Sequence, residues 1–176
     1  MLVLSREVIN KDLYSIRTAS KVGTVNIPII NPANLHIDAF LCQTIVGDQL
    51  ILLDTEIREL SRKGFIIDDV NKLSKAEDLL RLKPIIDIGF ELVGKQVISG
   101  NRHIGKVRDY VIETKSLYIQ QILVNRLFGK LIDSDKKIVS RDQIIEVNEK
   151  TIFVSGPEEK VKYQLFNKNS LTNSAD

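Results

Sequence analysis

The chain has 176 residues, with 25 basic and 23 acidic side chains and a formal charge of +2. That near balance argues against phosphate binding over the whole molecule, because nucleic-acid partners select for a clear basic excess. Hydrophobic residues at 43% exclude global disorder, and a single cysteine excludes an intrachain disulfide or a multi-cysteine metal cluster.

The apolar residues are mostly Ile, Val and Leu, with no Trp and one Met, and this β-branched bias favours strands. Residues 1–7 carry no apolar stretch long enough for a signal peptide. No segment approaches the ~20 apolar residues needed to span a bilayer. A cytoplasmic protein without membrane insertion is therefore expected. Residues 8–13, 22–25, 29–30 and 35–42 read as short strands, and Cys42 in Phe40-Leu41-Cys42 reads as a small buried hydrophobe. Asp54-Thr55-Glu56-Ile57-Arg58 reads as one helical turn, Phe65 to Ile67 as a closing strand, and Asp68-Asp69 as a solvated linker. Ser74-Lys75-Ala76-Glu77 with Leu79, Leu80 and Leu82 predicts a short capped helix that Pro84 interrupts.

The second half repeats this order. Gln96-Val97-Ile98 leads into a polar turn at Ser99-Gly100-Asn101-Arg102. Ile104-Gly105-Lys106-Val107 follows, and a Gly inside such a strand predicts a bulge or a tight bend. Residues 111–112 and 119–124 supply two more strands. Ser140 and Gln143 have capping-box spacing for one helical turn, and Ile152-Phe153-Val154 closes the unit. Ser155-Gly156-Pro157-Glu158 predicts the start of a last helix with Val161 and Leu165 on one face, and residues 167–176 read as a polar, flexible tail.

Sliding the chain on itself makes the repetition explicit. Gly23 meets Gly105 at an offset of 82, which also pairs Ile29 with Val111, Leu35 with Leu117, Ile37 with Ile119 and Leu41 with Leu123. Upstream, residues 8–13 meet residues 92–97 at an offset of 84. Downstream, Ile57, Leu60, Phe65 and Ile67 meet Ile144, Val147, Ile152 and Val154 at 87. The drift places small insertions where loops are expected. The fold class this predicts is mainly β: two tandem small barrels with short connecting and C-terminal helices. The first occupies residues 1–83 and the second residues 84–166.

Leu92-Val93-Gly94-Lys95, the polar turn, Ile104-Gly105-Lys106-Val107-Arg108-Asp109-Tyr110 and the closing Ile152-Phe153-Val154 together resemble the PRC-barrel family. The first unit resembles it more loosely, with Asn10 where the second has Gly94. The resemblance covers residues 1–165 as two copies and rests on fold motifs. It implies a small β-barrel like that of the photosynthetic reaction centre H subunit or the C-terminal domain of a bacterial ribosome maturation factor. The chain differs from the first in lacking a transmembrane helix, and from the second in having a like barrel as its first half.

The sequence offers no arrangement for catalysis and implies no cofactor and no metal. The two histidines, His36 and His103, occupy non-equivalent positions of the repeat and read as surface or partner-contact residues. Asp133-Ser134-Asp135 is followed by Lys136-Lys137, whose charges repel a cation. The expected function is a non-catalytic protein-interaction or scaffolding module. Its best binding segment is Asn125-Arg126-Leu127-Phe128-Gly129-Lys130, where an aromatic beside cations makes a common interface pairing. Phe128 either anchors a partner or plugs the barrel end. The alternative is an RNA-linked ribosome-assembly factor. It rests on ten Lys/Arg against four Asp/Glu from Lys95 to Arg141, above all Arg126, Lys130, Lys136, Lys137 and Arg141. Unpaired barrel edges also offer a route to homo-oligomers.

Overall fold

Strands dominate, as the β-branched composition requires. The computed structural model describes residues 1–128 and 131–155, with the side chains of 126–128 and 131–136 outside that description. The first half contributes β2 (Lys11–Ser15), β3 (Ser20–Asn31), β4 (His36–Thr44), β5 (Gln49–Leu53), β6 (Ile57–Ser61) and β7 (Gly64–Ile67), which follow β1 (Leu2–Leu4). The second contributes β8 (Gln96–Ser99), β9 (Arg102–Glu113), β10 (Ile119–Phe128), β11 (Leu131–Ser140), β12 (Ile144–Val147) and β13 (Thr151–Val154). One short helix, α1 (Lys83–Ile88), lies between them.

These strands form two curled sheets of matching topology. The first runs β5-β4-β3-β2-β7-β6 and the second β11-β10-β9-β8-β13-β12. Each is antiparallel except at one parallel pair, β2 with β7 and β8 with β13. The first strand of each sheet is therefore joined to its last by a crossover that wraps round the sheet. Apolar residues alternate inward, so Leu13, Phe40, Leu52, Phe65 and Ile67 are fully buried in one sheet. Val97, Ile104, Ile112, Ile122 and Ile152 are among the fully buried residues of the other. Phe40 and Phe65 meet edge to face with ring centroids 5.0 Å apart.

The register repeats residue by residue. Leu41 lies opposite Ile51, and Leu123 opposite Ile138; Ile57 lies opposite Ile67, and Ile144 opposite Val154. The bulge expected beside Gly105 is present, and the first sheet has its match beside Gly23. The pairing skips from Leu13–Gly23 to Tyr14–Lys21 in one sheet, and from Val97–Gly105 to Ile98–His103 in the other. A side chain at Gly105 would place Cβ 2.1 Å from the Asn125 carbonyl oxygen, at φ +155. Asn10 and Gly94, matched in the repeat, both have positive φ, and their amides bond to the carbonyls of the matched Val25 and Val107.

The short turns fall as expected at Asp54–Glu56 and Arg141–Gln143, and both are 3-10 turns. At the second, the Gln143 side chain accepts from the Ser140 amide at 2.9 Å. The connecting helix does not fall where the sequence predicts it. Ser74 is extended, exchanging backbone bonds with Ile51, and only Ala76–Asp78 makes a 3-10 turn. The helix begins at Lys83 with Pro84 in its first turn and ends at Gly89, φ 56. Proline starts this helix because a first-turn residue needs no intrahelical amide partner. Leu79, Ile85 and Ile86 then pack with Leu82 against Ala39, Ile51, Ile29, Leu41 and Leu53 on the outer face of the first sheet. The helix expected after Ser155 lies outside the described residues.

Strand β1 is not among the elements expected from the sequence. Its register sets Leu2 opposite Glu113 and Leu4 opposite Val111, so the chain's first strand is added to the second sheet. Ser5 Oγ donates to Asp109 at 2.6 Å, and the Met1 ammonium lies 3.0 Å from Glu113.

Candidate interaction surface

The two halves meet at a pair of turns that the repeat equates. Leu35 and Leu117 share φ 54, a left-handed conformation uncommon for leucine. The Ile37 amide donates to the Leu117 carbonyl at 3.0 Å, and the Ile119 amide donates to the Leu35 carbonyl at 3.0 Å. Ile37 thus bonds the match of Leu35, and Leu35 bonds the match of Ile37, a reciprocity like that of an isologous two-fold interface. His36 and Tyr118, matched in the repeat, stack edge to face at 4.7 Å.

His36 is therefore an inter-half residue with little exposure. Its Nδ1 lies 2.6 Å from Asp38 Oδ1, and its Nε2 lies 3.8 Å from Asp54 Oδ2. The Arg141 guanidinium stacks 4.4 Å over the Tyr118 ring, and its Nη2 donates to the Asn34 carbonyl at 2.6 Å. His103, by contrast, is exposed. Asp68 and Asp69 are ion-paired instead of merely solvated: Arg58 grips Asp68 with two bonds of 2.7 and 2.8 Å, and Arg17 pairs with Asp69. Each carboxyl is held below its ordinary range chiefly by that guanidinium.

The halves differ most in the hairpin that follows. In the first half, Gln43 pairs with Gln49 and five residues make the turn between them. That turn is tight: the Thr44 amide donates to Asp48, and Gly47 donates back to Thr44. In the second half, Asn125 pairs with Lys136 and ten residues intervene. The five-residue insertion is what raises the offset from 82 to 87. It builds a ribbon that extends past Lys106, the last β9 partner of β10. In the ribbon Leu127 lies opposite Ile132 and Phe128 opposite Leu131, and no third strand of the described residues pairs with it. A bulge sets residues 133–135 against Arg126 alone, and bulges of this kind bend and re-aim a ribbon.

The sequence-predicted residues separate accordingly. Arg126, Leu127, Phe128 and Lys136 stand on this ribbon by backbone register. Lys130 lies outside the described residues. Lys137 is buried, opposite the buried Val124, and Arg141 is committed to the contact between halves. The basic set is thus divided between ribbon, core and inter-half contact.

Other concavities are shallow and open. A groove of about 820 Å³ is lined by Ile88, Phe90, Lys95, Lys106 and Glu149, among others. Lys95 is buried there, its Nζ donating to the Glu149 carbonyl and lying 4.4 Å from the Phe90 ring centroid. Burial lowers its pKa. A second groove of about 720 Å³ lies beside the first-half turn, where Ile45 and Val46 are 70% and 78% exposed. Cys42 is buried, which pushes its thiol up to about 12. Among the described residues no three His, Cys, Asp or Glu side chains are grouped to hold a metal, and no helix is long and apolar enough to cross a membrane. Neither a family model nor a curated protein matches the chain.

Proposed function

We propose that the chain is a non-catalytic protein-interaction module built of two PRC-barrel-like domains, residues 1–83 and 84–166, that takes its partner on the long hairpin of the second. One observation carries this reading. Two halves of matching register differ most by five residues inserted into one hairpin, and the insertion holds Leu127, Phe128, Leu131 and Ile132 on a two-stranded ribbon. A ribbon with no third strand contributes little to a core, whereas apolar and aromatic residues beside cations suit a binding surface. The matched bulges, the parallel closing pair and the Gly105 strand support the family resemblance as a fold expectation.

The RNA-linked reading draws less support. Burial of Lys137 and the Asn34 bond of Arg141 remove two cations from any phosphate-facing set. Capture of partners by the tagged chain from cytoplasmic lysate, with and without nuclease and at low and high salt, separates the two. The interaction reading expects a discrete protein that survives both treatments. Ribosomal RNA that is lost with nuclease and with salt contradicts it.

A further inference from the structure

Strand pairing lays matched residues of the two halves in matched rows. In the first half Asp12 lies opposite Thr24, Thr24 opposite Gln43, and Gln43 opposite Gln49. In the second, Gln96 lies opposite Lys106, Lys106 opposite Asn125, and Asn125 opposite Lys136. Opposed residues of an antiparallel pair share a face about 5 Å apart, so each row is one band across four strands. The repeat equates the rows position by position, yet their charges differ. The first row has one carboxylate and no cation, the second two lysines and no carboxylate. The first is also neutralised from outside, because Lys21 Nζ lies 2.6 Å from Asp12 Oδ1. The match of Lys21 is His103, which is exposed, and the exposed Lys106 has no ion-pair partner among the described residues.

This second row joins two surfaces. At Asn125 it meets the root of the long hairpin, since Lys106 is the last β9 residue to pair with β10. At Gln96 and Lys106 it enters the groove of about 820 Å³, whose lining adds the exposed Lys150. Ile88 and Val93 line the same groove and are 60% and 49% exposed. Glu91 and Glu149 line it too, beside the buried Lys95. A phosphate backbone needs an unbroken track of cations, and these two carboxylates interrupt it. An acidic side chain needs only the lysines, and apolar neighbours on the same segment have Ile88 and Val93 to cover.

We propose that the protein partner taken by the long hairpin carries an acidic, partly apolar segment that runs on from the hairpin root into this groove, where Lys106 and Lys150 take its carboxylates. The inference rests on the hairpin reading for the partner being a protein; the row and the groove supply the chemistry of what binds. Continuity with the hairpin fixes where the segment enters, and the charge difference between the matched rows fixes its sign. The first half, whose row holds the paired Asp12, offers no such site.

Binding of two labelled synthetic peptides to the full chain tests this, one alternating Glu with Leu and the other with Gln in place of every Glu. The Glu peptide is expected to bind at least about tenfold more tightly, with the preference shrinking as salt is raised. Lys106→Glu should abolish the preference, whereas Thr24→Glu, at the matched first-half position, should leave it in place. If Lys106→Glu does not fold, Lys150→Glu takes its place in the comparison. Equal binding of the two peptides, binding of neither, or a preference that survives the lysine reversal overturns the proposal. So does tighter binding of a single-stranded RNA of equal charge, which would assign the row to phosphates. A chain whose residues 126–135 are replaced by the matched residues 44–48 retains Lys106 and Lys150. It should keep the Glu preference whether or not it loses its lysate partner, so this inference and the hairpin reading fail separately.

Discussion

Gly105 shows how one atom constrains the barrel-like curl. With φ +155 and the Asn125 carbonyl 2.1 Å from where Cβ would sit, Gly105→Ala meets backbone that cannot give way. The substitution should cost more than about 3 kcal/mol, seen as a lower urea midpoint; a loss under about 1 kcal/mol contradicts the close approach. This constraint was legible in the sequence, because a Gly between β-branched residues in a strand has few other reasons to be there. Glu113 was not legible, since its partner Met1 is 112 positions away. Hydrogen bonds from Ser116, and then the terminal ammonium, hold its carboxyl down to about 2. A folded-state pKa below the usual 4.5 stabilises the fold fully above that pH and is lost as pH falls toward 2. Glu113→Gln should therefore lower stability by about 1 kcal/mol at pH 7, with the difference vanishing near pH 2. A difference that persists unchanged at pH 2 contradicts this assignment.

Strands and short turns were largely readable, because inward alternation and capping spacing are local signals. Elements that depend on the other half were not. Three residues, Leu2–Leu4, become a strand only because β9 offers an edge, and no local pattern announces that. The connecting helix was displaced because Ser74 finds a backbone partner in Ile51, which outcompetes a capping role. The inter-half turns at Leu35 and Leu117 were matched in sequence, yet no one-dimensional signal says that matched residues touch. Arg141 spans this contact, so Arg141→Ala should weaken the docking of the halves by about 1–2 kcal/mol while leaving each sheet intact. Faster amide exchange at Ile37 and Ile119, with Leu13 and Val97 unchanged, is the expected result. Equal acceleration at all four would show instead that Arg141 supports the whole fold.

For the molecule as a whole, repetition explains more than any motif. Two sheets of the same order, with the same parallel pair and the same bulges, are joined through a reciprocal contact, and one apolar core runs through both. Against that background an asymmetry is informative, and the lengthened hairpin is the largest one within the matched strands. The sequence pointed to this segment through its aromatic and cations. Lys137 and Arg141 resembled their neighbours there because burial and a partner from the other half leave no mark on sequence. The first half also supplies a folded template for removing the ribbon: residues 126–135 can be replaced by Thr44-Ile45-Val46-Gly47-Asp48, which close the matched strand pair.

That replacement is the decisive comparison. Wild-type and replaced chains, tagged and matched in thermal stability, are used to capture partners from nuclease-treated lysate at high salt. Proteins retained by the wild type and lost, by at least about tenfold, from the replaced chain are the predicted result. Equal retention by both chains would mean that the partner binds elsewhere, and that the long hairpin is not the interaction surface.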